Sequence, residues 1–199
     1  MNKAARTRQY IIEQVAPVFN KQGYAGTALS DIEIATGLTK GAIYGNFGNK
    51  DNLAIACFDH NIIPLQKGLI RALATPGACL DKLKASLSFY RNHYEQVARQ
   101  GGCPLMNTSV EADDTLPFLK ARVQESILRW QHELTALLKT GQEQGEIKRD
   151  IDTRQFAVSI IAMIEGGILL AKAMDQASYF YKVLDTVEWT IERDLKISQ

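Results

Sequence analysis

The sequence predicts an all-α protein of about nine helices, a three-helix head followed by a body of longer helices. Three observations carry this. Apolar residues recur at helical spacing in nearly every segment, beginning with Ile11, Ile12, Val15, Val18 and Phe19. Valine and threonine nowhere cluster with the period-two alternation that marks strands. Glycines and prolines punctuate the periodic runs where helices should stop, at Gly23, Gly37, Gly48 and Gly101-Gly102-Cys103-Pro104.

The elements follow in order. Residues 4–22 form the first helix; Pro17 lacks the N–H that would bond to the Glu13 carbonyl, so a kink is expected there, and Gly23 ends the helix. A short second helix runs from Ser30 to Thr36, with Ser30 as N-cap and Glu33 at capping-box spacing. A third runs from Thr39 or Lys40 to Phe47, before a Gly48-Asn49 turn. Longer helices are expected over 51–73 (bent at Pro64), 79–99, Pro117 to Gln144, from Asp152 or Thr153 to Asp175, and 177–196. A short one follows Pro104 to about Ala112. Helix length changes near residue 50, so the head is drawn as 1–50 and the body as 51–199.

Hydrophobic residues make up 46% of the chain, enough for a sizeable core. The longest apolar stretch, Ile160 to Leu170, is interrupted by Glu165, Gly166 and Gly167, and no membrane span is expected. The first residues lack the apolar segment of a signal peptide, so a cytoplasmic protein is expected. Three cysteines, Cys57, Cys79 and Cys103, make no disulfide framework. The net charge is only +1, but residues 1–50 carry +3 and the remainder −2, a mildly basic head that suits phosphates.

The informative stretch runs from Gly23 to Leu53. Gly37-Leu38-Thr39 turns one short helix across another while Leu38 plugs the core between them. This is helix-turn-helix geometry, in which the second helix enters the major groove of DNA. Thr39 can cap that helix and leave its N–H groups for a phosphate. Lys40 offers charge to a phosphate or a donor to a guanine edge, and Gly41 lets the backbone approach DNA. Tyr44 and Asn46 can donate to phosphates, Asn46 alternatively to an adenine. Thr27 and Lys50 flank the groove as phosphate clamps.

Residues 10–55 resemble the tetracycline-repressor family, whose pattern is roughly G-[FY]-x-x-T-[ST]-x-x-x-I-A followed by G-[VL]-[ST]-K-G-x-[LI]-Y-x-[HY]-F-x-[SN]-K-[ED]-x-L. The resemblance implies a homodimer with two DNA-binding heads and a C-terminal helical ligand-binding and dimerisation domain. It further implies that an inducer, a small molecule or an electrophile, releases the protein from a palindromic operator. Ala28 stands where a hydroxyl residue is usual, Glu33-Ile34 where the pattern continues with Ala, and Gly45-Asn46 replaces a commoner polar or aromatic pair.

The body carries weaker signals. Residues 153–173 are apolar almost all round, and Gly166-Gly167 would let a partner helix approach closely in a dimer interface, or serve packing within one subunit. Phe89, Tyr90, Met106, Trp130 and Met163 could line an apolar ligand pocket, with Glu165 facing it, or simply form core. Gly101 to Asn107 is similar to a G-C-x-[LVT]-x-[NK] segment in a subgroup of that family, some of whose members respond to electrophiles or oxidants. There Cys103 precedes a helix start, which favours thiolate, and Lys172 matches a basic position of the subgroup. Cys57 and His60 stand at i, i+3, but no further metal ligands have suitable spacing, and no cofactor is expected. A helical enzyme or small-molecule binder using the same C-terminal cavity is the alternative; no catalytic constellation appears in a recognisable context, so no enzyme is expected.

Overall fold

The computed structural model describes residues 2–197. Among them lie nine helices: α1 (Lys3–Gly26), α2 (Leu29–Thr36), α3 (Lys40–Phe47), α4 (Lys50–Leu73), α5 (Cys79–Arg99), α6 (Pro104–Ala112), α7 (Pro117–Glu143), α8 (Thr153–Ala173) and α9 (Ala177–Leu195). Met1 and residues 198–199, at the outer ends of the two segments drawn from the sequence, lie outside the described residues.

The local chemistry of the helix ends explains most boundaries, with two corrections. Asn2 caps α1 by accepting the Ala5 N–H at 2.8 Å, and Asp152 caps α8 by accepting from Arg154 and Gln155. Ser30 is not a cap. Helix α2 starts one residue earlier, and Asp31 accepts the Ala28 N–H at 2.7 Å, so Glu33 is released for another partner. In α1 the backbone leaves helical geometry at Gly23 (φ 76°, ψ 173°) rather than at Pro17. A lost hydrogen bond at a proline is tolerated inside a well-packed helix, whereas positive φ is open chiefly to glycine.

The chain forms two compact units that do not follow a cut at residue 50. The first comprises the chain up to Leu65 together with Arg99–Glu125; the second comprises Gln66–Ala98 and the chain from Ser126 onward. Helices α4 and α7 each contribute to both. Helix α4 runs unbroken through Pro64, and the division between the units falls within it, after Leu65.

In the first unit, Ile11, Val15 and Ala16 of α1, Ile32 of α2, Ile43 and Phe47 of α3, and Leu53 and Cys57 of α4 share one core, with Leu38 packed against it. Burial of these side chains stabilises the unit by roughly 1.5–3 kcal/mol for each large one. Helix α6 is tied to the end of α1: the Asn107 amide donates to the Asn20 and Gly101 carbonyls, and the Asn20 amide donates to those of Gln100 and Gly102.

In the second unit, α8 and α9 pack closely along their lengths. A Cβ at Gly167 would lie 3.0 Å from Phe180 and Val183, so this glycine seats α9 within the same chain. Gly166 has open space beside it. The two glycines therefore do different work, and the expectation that both serve a partner helix is corrected for Gly167. Helix α8 has the length and composition of a membrane span, as the core helix of a folded protein can also have. Ala157, Ile160, Ile164, Ile168 and Ala171 are nonetheless buried within the fold.

Candidate nucleic-acid interface

Helix α3 is short and contains two glycines, which makes it a weak helix by itself. It persists because Ile43 and Phe47 anchor one stripe of it in the core of the first unit. The opposite stripe is left outward. Lys40, Gly41 and Gly45 are exposed, and Tyr44 and Asn46 are half-buried beside them. A Cβ added at Gly41 or Gly45 would meet nothing within 4 Å. Nothing inside the protein requires a glycine at either position.

The turn before α3 is built from side-chain bonds. The Thr36 hydroxyl donates to the Ile32 carbonyl at 2.7 Å and accepts the Leu38 N–H at 3.2 Å. The Tyr10 hydroxyl donates to the Thr36 carbonyl, holding α1 to the end of α2. Gly37 takes the left-handed conformation at φ 66° that closes α2. Thr39 caps α3 as expected, accepting the Ala42 N–H at 3.4 Å. The first amide of α3 is already engaged, however: the Lys40 N–H donates to the Glu33 carboxylate at 2.8 Å.

Two residues expected as phosphate clamps have internal work. Thr27 is fully buried, and its hydroxyl donates to the Gly23 carbonyl at 2.6 Å, closing the corner between α1 and α2. Its side chain is not a surface group, which corrects that assignment. The Lys50 ammonium donates to the Tyr24 carbonyl at 2.6 Å and lies 4.2 Å from the centre of the Tyr24 ring. It is a strut between the start of α4 and the end of α1. The Asn46 amide donates to the Ala42 carbonyl at 2.8 Å, along its own helix.

Sequence reasoning missed Tyr24 and Glu111. The Tyr24 hydroxyl donates to the Asp51 carboxylate, and burial together with that carboxylate pushes the phenol up to about 12. Glu111 of α6 accepts the N–H groups of Tyr24 at 2.6 Å and Ala25 at 2.7 Å, beside the irregular Gly23. The segment after Gly23 is thus held from α4 and from α6. The local signals were Gly23 and the aromatic position after it in the family pattern, since the partners of Tyr24 lie 27 and 87 residues away. A small open cleft lies among Phe19, Tyr24, Phe58, Asn61, Thr108 and Glu111 of this unit.

None of the six residues expected to line a ligand pocket borders that cleft. Met106 belongs to the first unit; the other five belong to the second. There Phe89, Tyr90 and Trp130 do come together, with ring centres 5.7 Å apart for Phe89–Tyr90 and 5.9 Å for Tyr90–Trp130. Tyr94 and Phe180 complete the cluster at 4.8 Å. Phe89 lies so close to Gly68 that a Cβ there would be 2.3 Å from its ring. Tyr94, Trp130 and Phe180 are buried, Phe89 and Tyr90 are half-buried beside them, and Met163 and Glu165 are half-buried on α8.

Cys103 sits at the N-cap position of α6, as expected, but is only 6% exposed. The exposure that thiol chemistry requires is therefore missing in this conformation. Burial raises the Cys57 thiol, and burial followed by the Glu146 carboxylate raises Cys79 to about 11. Lys172 is exposed on α8 of the second unit.

A recognition helix carried on a small apolar core, with its polar stripe turned outward, defines a class: the helix-turn-helix transcriptional regulators. Residues 11–57 match the family model for bacterial regulatory proteins, tetR family, and residues 79–187 match that for the tetracyclin repressor-like C-terminal domain. The second match alone covers more than half of the chain. The chain belongs to the TetR family and is a ligand-responsive transcriptional regulator. It is 38% identical to a TetR-family transcriptional regulator from Cytophaga hutchinsonii, covering 100% of this chain and 99% of that one with a TM-score of 0.90. A TetR transcriptional regulator from Chloroflexus aurantiacus J-10-fl is 36% identical with full coverage of each chain and a TM-score of 0.93. The HTH-type transcriptional repressor DhaR of Mycobacterium sp. (strain GP1) is 28% identical over 170 residues, 84% of each chain.

Proposed function

We propose that this chain is a cytoplasmic homodimeric repressor whose two heads, residues 1–50 of each copy, bind an inverted-repeat operator and release it when an inducer binds. The observation that carries the reading is the outward stripe of α3, where Gly41 and Gly45 leave bare backbone that no internal contact uses. Lys40, exposed in the first turn of α3, and Asn46, half-buried near its end, flank those glycines to meet phosphates or base edges, with Tyr44 and Thr39 beside them. Lys50 acts indirectly, by holding the corner at Tyr24. Repression is supported by the similarity to DhaR. Dimerisation is supported by the exposed Val158, Leu169 and Leu170 of α8, Met174 just after it, and Trp189 of α9, which leave apolar surface for a second copy. The inducer, a small molecule or an electrophile, acts on the aromatic region of α5, α7 and α9 or on Cys103. Coupling would run through α4 and α7, which contribute to both units.

Selection from a randomised DNA pool, with and without candidate inducers, tests this directly. An inverted repeat should be recovered, because two heads related by a twofold axis present one surface twice. Equal affinity for a half-site and for the full repeat would overturn the reading. Gly41→Ala separates stability from function. The alanine has room and favours helix, so the head should gain about 0.5–1 kcal/mol in denaturant unfolding. Affinity for the recovered repeat should fall, since the added methyl occupies the space between backbone and DNA. Unchanged affinity would remove Gly41 from the interface.

For an electrophile, limiting reagent followed by peptide mapping should label Cys103 before Cys57 and Cys79, whose thiols burial raises. Labelling should be slow, since Cys103 must first be uncovered. Prior labelling of Cys57 or Cys79, or labelled protein that binds the operator normally, would rule out a sensor role for Cys103.

A further inference from the structure

Helix α3 has no acidic residue in its first turn and no basic residue in its last. Its first residue, Lys40, has the wrong sign for the positive end of a helix dipole. Its apolar anchors, Ile43 and Phe47, lie four residues apart on one stripe. That stripe resists removal of the helix from the core better than it resists fraying or rocking at the two ends. Yet a helix that reads base edges must hold its side chains in a narrow range of geometry.

The missing charges come from neighbouring helices. At the start of α3, the Glu33 carboxylate of α2 accepts the Lys40 N–H at 2.8 Å, reaching across the turn. At the end, the Arg8 guanidinium of α1 donates to the Asn46 carbonyl at 2.6 Å and stands 4.1 Å from the centre of the Phe47 ring. An anion therefore sits at the positive end of α3 and a cation at the negative end, each also satisfying a terminal backbone group that the helix leaves unpaired. We propose that Glu33 and Arg8 are positioning residues that clamp α3 at its two ends and so set discrimination between the operator and other DNA. Residue 33 is also where the chain departs from the family pattern, with Glu in place of Ala. The proposal rests on α3 being the DNA-reading helix.

The two residues leave different signatures from a direct phosphate contact. Losing a phosphate contact weakens binding to all sequences and lowers the salt slope by about one. Losing a positioning residue loosens α3 in the free protein and weakens specific binding most. The test uses the full-length chain with Arg8→Ala, Glu33→Ala, Arg8→Lys and Glu33→Gln. The probes are the duplex that wild type recovers from the randomised pool and a shuffled duplex of the same composition. Hydrogen exchange of the α3 amides is measured without DNA.

The alanine variants should exchange faster across α3 and lose roughly tenfold or more in affinity for the recovered duplex, the scale of a charge-assisted hydrogen bond. Affinity for the shuffled duplex should fall much less in Arg8→Ala, and should not fall in Glu33→Ala, which also removes a negative charge. Its salt slope should be unchanged in Arg8→Ala. Glu33→Gln keeps an acceptor oxygen without the charge, so it should hold α3 better than Glu33→Ala while binding shuffled DNA more tightly than wild type does. If an alanine variant fails to fold, the conservative variant at that position carries the same comparison. Unchanged α3 exchange, or a salt slope lowered by about one with discrimination preserved, would overturn the clamp. Wild type that binds no duplex, with α3 exchange still responding to the substitutions, would instead overturn the DNA-binding reading and leave the end contacts purely structural.

Discussion

Phe180→Ala is expected to destabilise the second unit by about 3–5 kcal/mol, the range for truncating a fully enclosed phenylalanine. Phe180 is 1% exposed. It packs in the notch left by Gly167 on α8, and its ring centre lies 4.8 Å from that of Tyr94 on α5. The rigid floor of this site cannot collapse into the vacated space, because a backbone segment forms it. Denaturant unfolding followed by circular dichroism measures the loss. Sedimentation should show a weaker dimer at equal protein concentration, since α8 and α9 carry the apolar surface proposed for the second copy. The ion pairs Lys84–Glu192 and Arg91–Asp185 also join α5 to α9, but they are partly exposed, and removing them should change little by comparison. A loss below about 1 kcal/mol for Phe180→Ala would mean that the ring is not the keystone described here.

Glu111→Ala is expected to cost the first unit about 1.5–3 kcal/mol, the scale of hydrogen bonds to a charged group. The carboxylate accepts two backbone N–H groups, those of Tyr24 and Ala25. Ala25 is exposed and would be rehydrated, so the half-buried Tyr24 amide accounts for most of the loss. Glu111→Gln retains one acceptor oxygen and should lose less. The Gly23 to Ala25 segment would then keep its bonds to α4, through Lys50 on the Tyr24 carbonyl and Asp51 on its hydroxyl, but lose those to α6. Hydrogen exchange at Tyr24 and Ala25 should accelerate sharply, with a smaller effect on α3. Gly23→Ala should do comparable damage for a different reason. The backbone there has φ 76°, and an added Cβ would lie 2.7 Å from a Glu111 oxygen. If Glu111→Ala leaves stability and local exchange unchanged, α6 does not hold the end of α1.

Much of the architecture was legible in the amino-acid order because it rests on short-range chemistry. Helical spacing, the Asp152 cap, the Thr39 cap and the left-handed glycine at 37 all act within a few residues. They determine where most helices begin and end without reference to the rest of the chain. The helix-turn-helix was legible for the same reason: turn, plug and recognition helix lie within one continuous stretch, which the resemblance to the TetR family then recognised. Local rules failed where two local choices competed. Ser30 has the chemistry of a cap, yet α2 starts a residue earlier with Asp31 closing on the Ala28 N–H, and Pro17 stays within α1 while Gly23 interrupts it.

The tertiary structure alone decided which side chains serve the surface and which serve the scaffold. Thr27 and Lys50 have the composition of phosphate ligands, yet one is buried against Gly23 and the other supports Tyr24. Phe89, Tyr90 and Trp130 were grouped correctly, but their close packing with Gly68 and Phe180 emerged only from the fold. Arg8 meets Asn46 across 38 residues, and Glu111 meets Tyr24 across 87. No periodicity links such positions. Their pairing follows from how helices settle on a shared core, where each buried or half-buried polar group takes whatever partner the packing brings within hydrogen-bond reach.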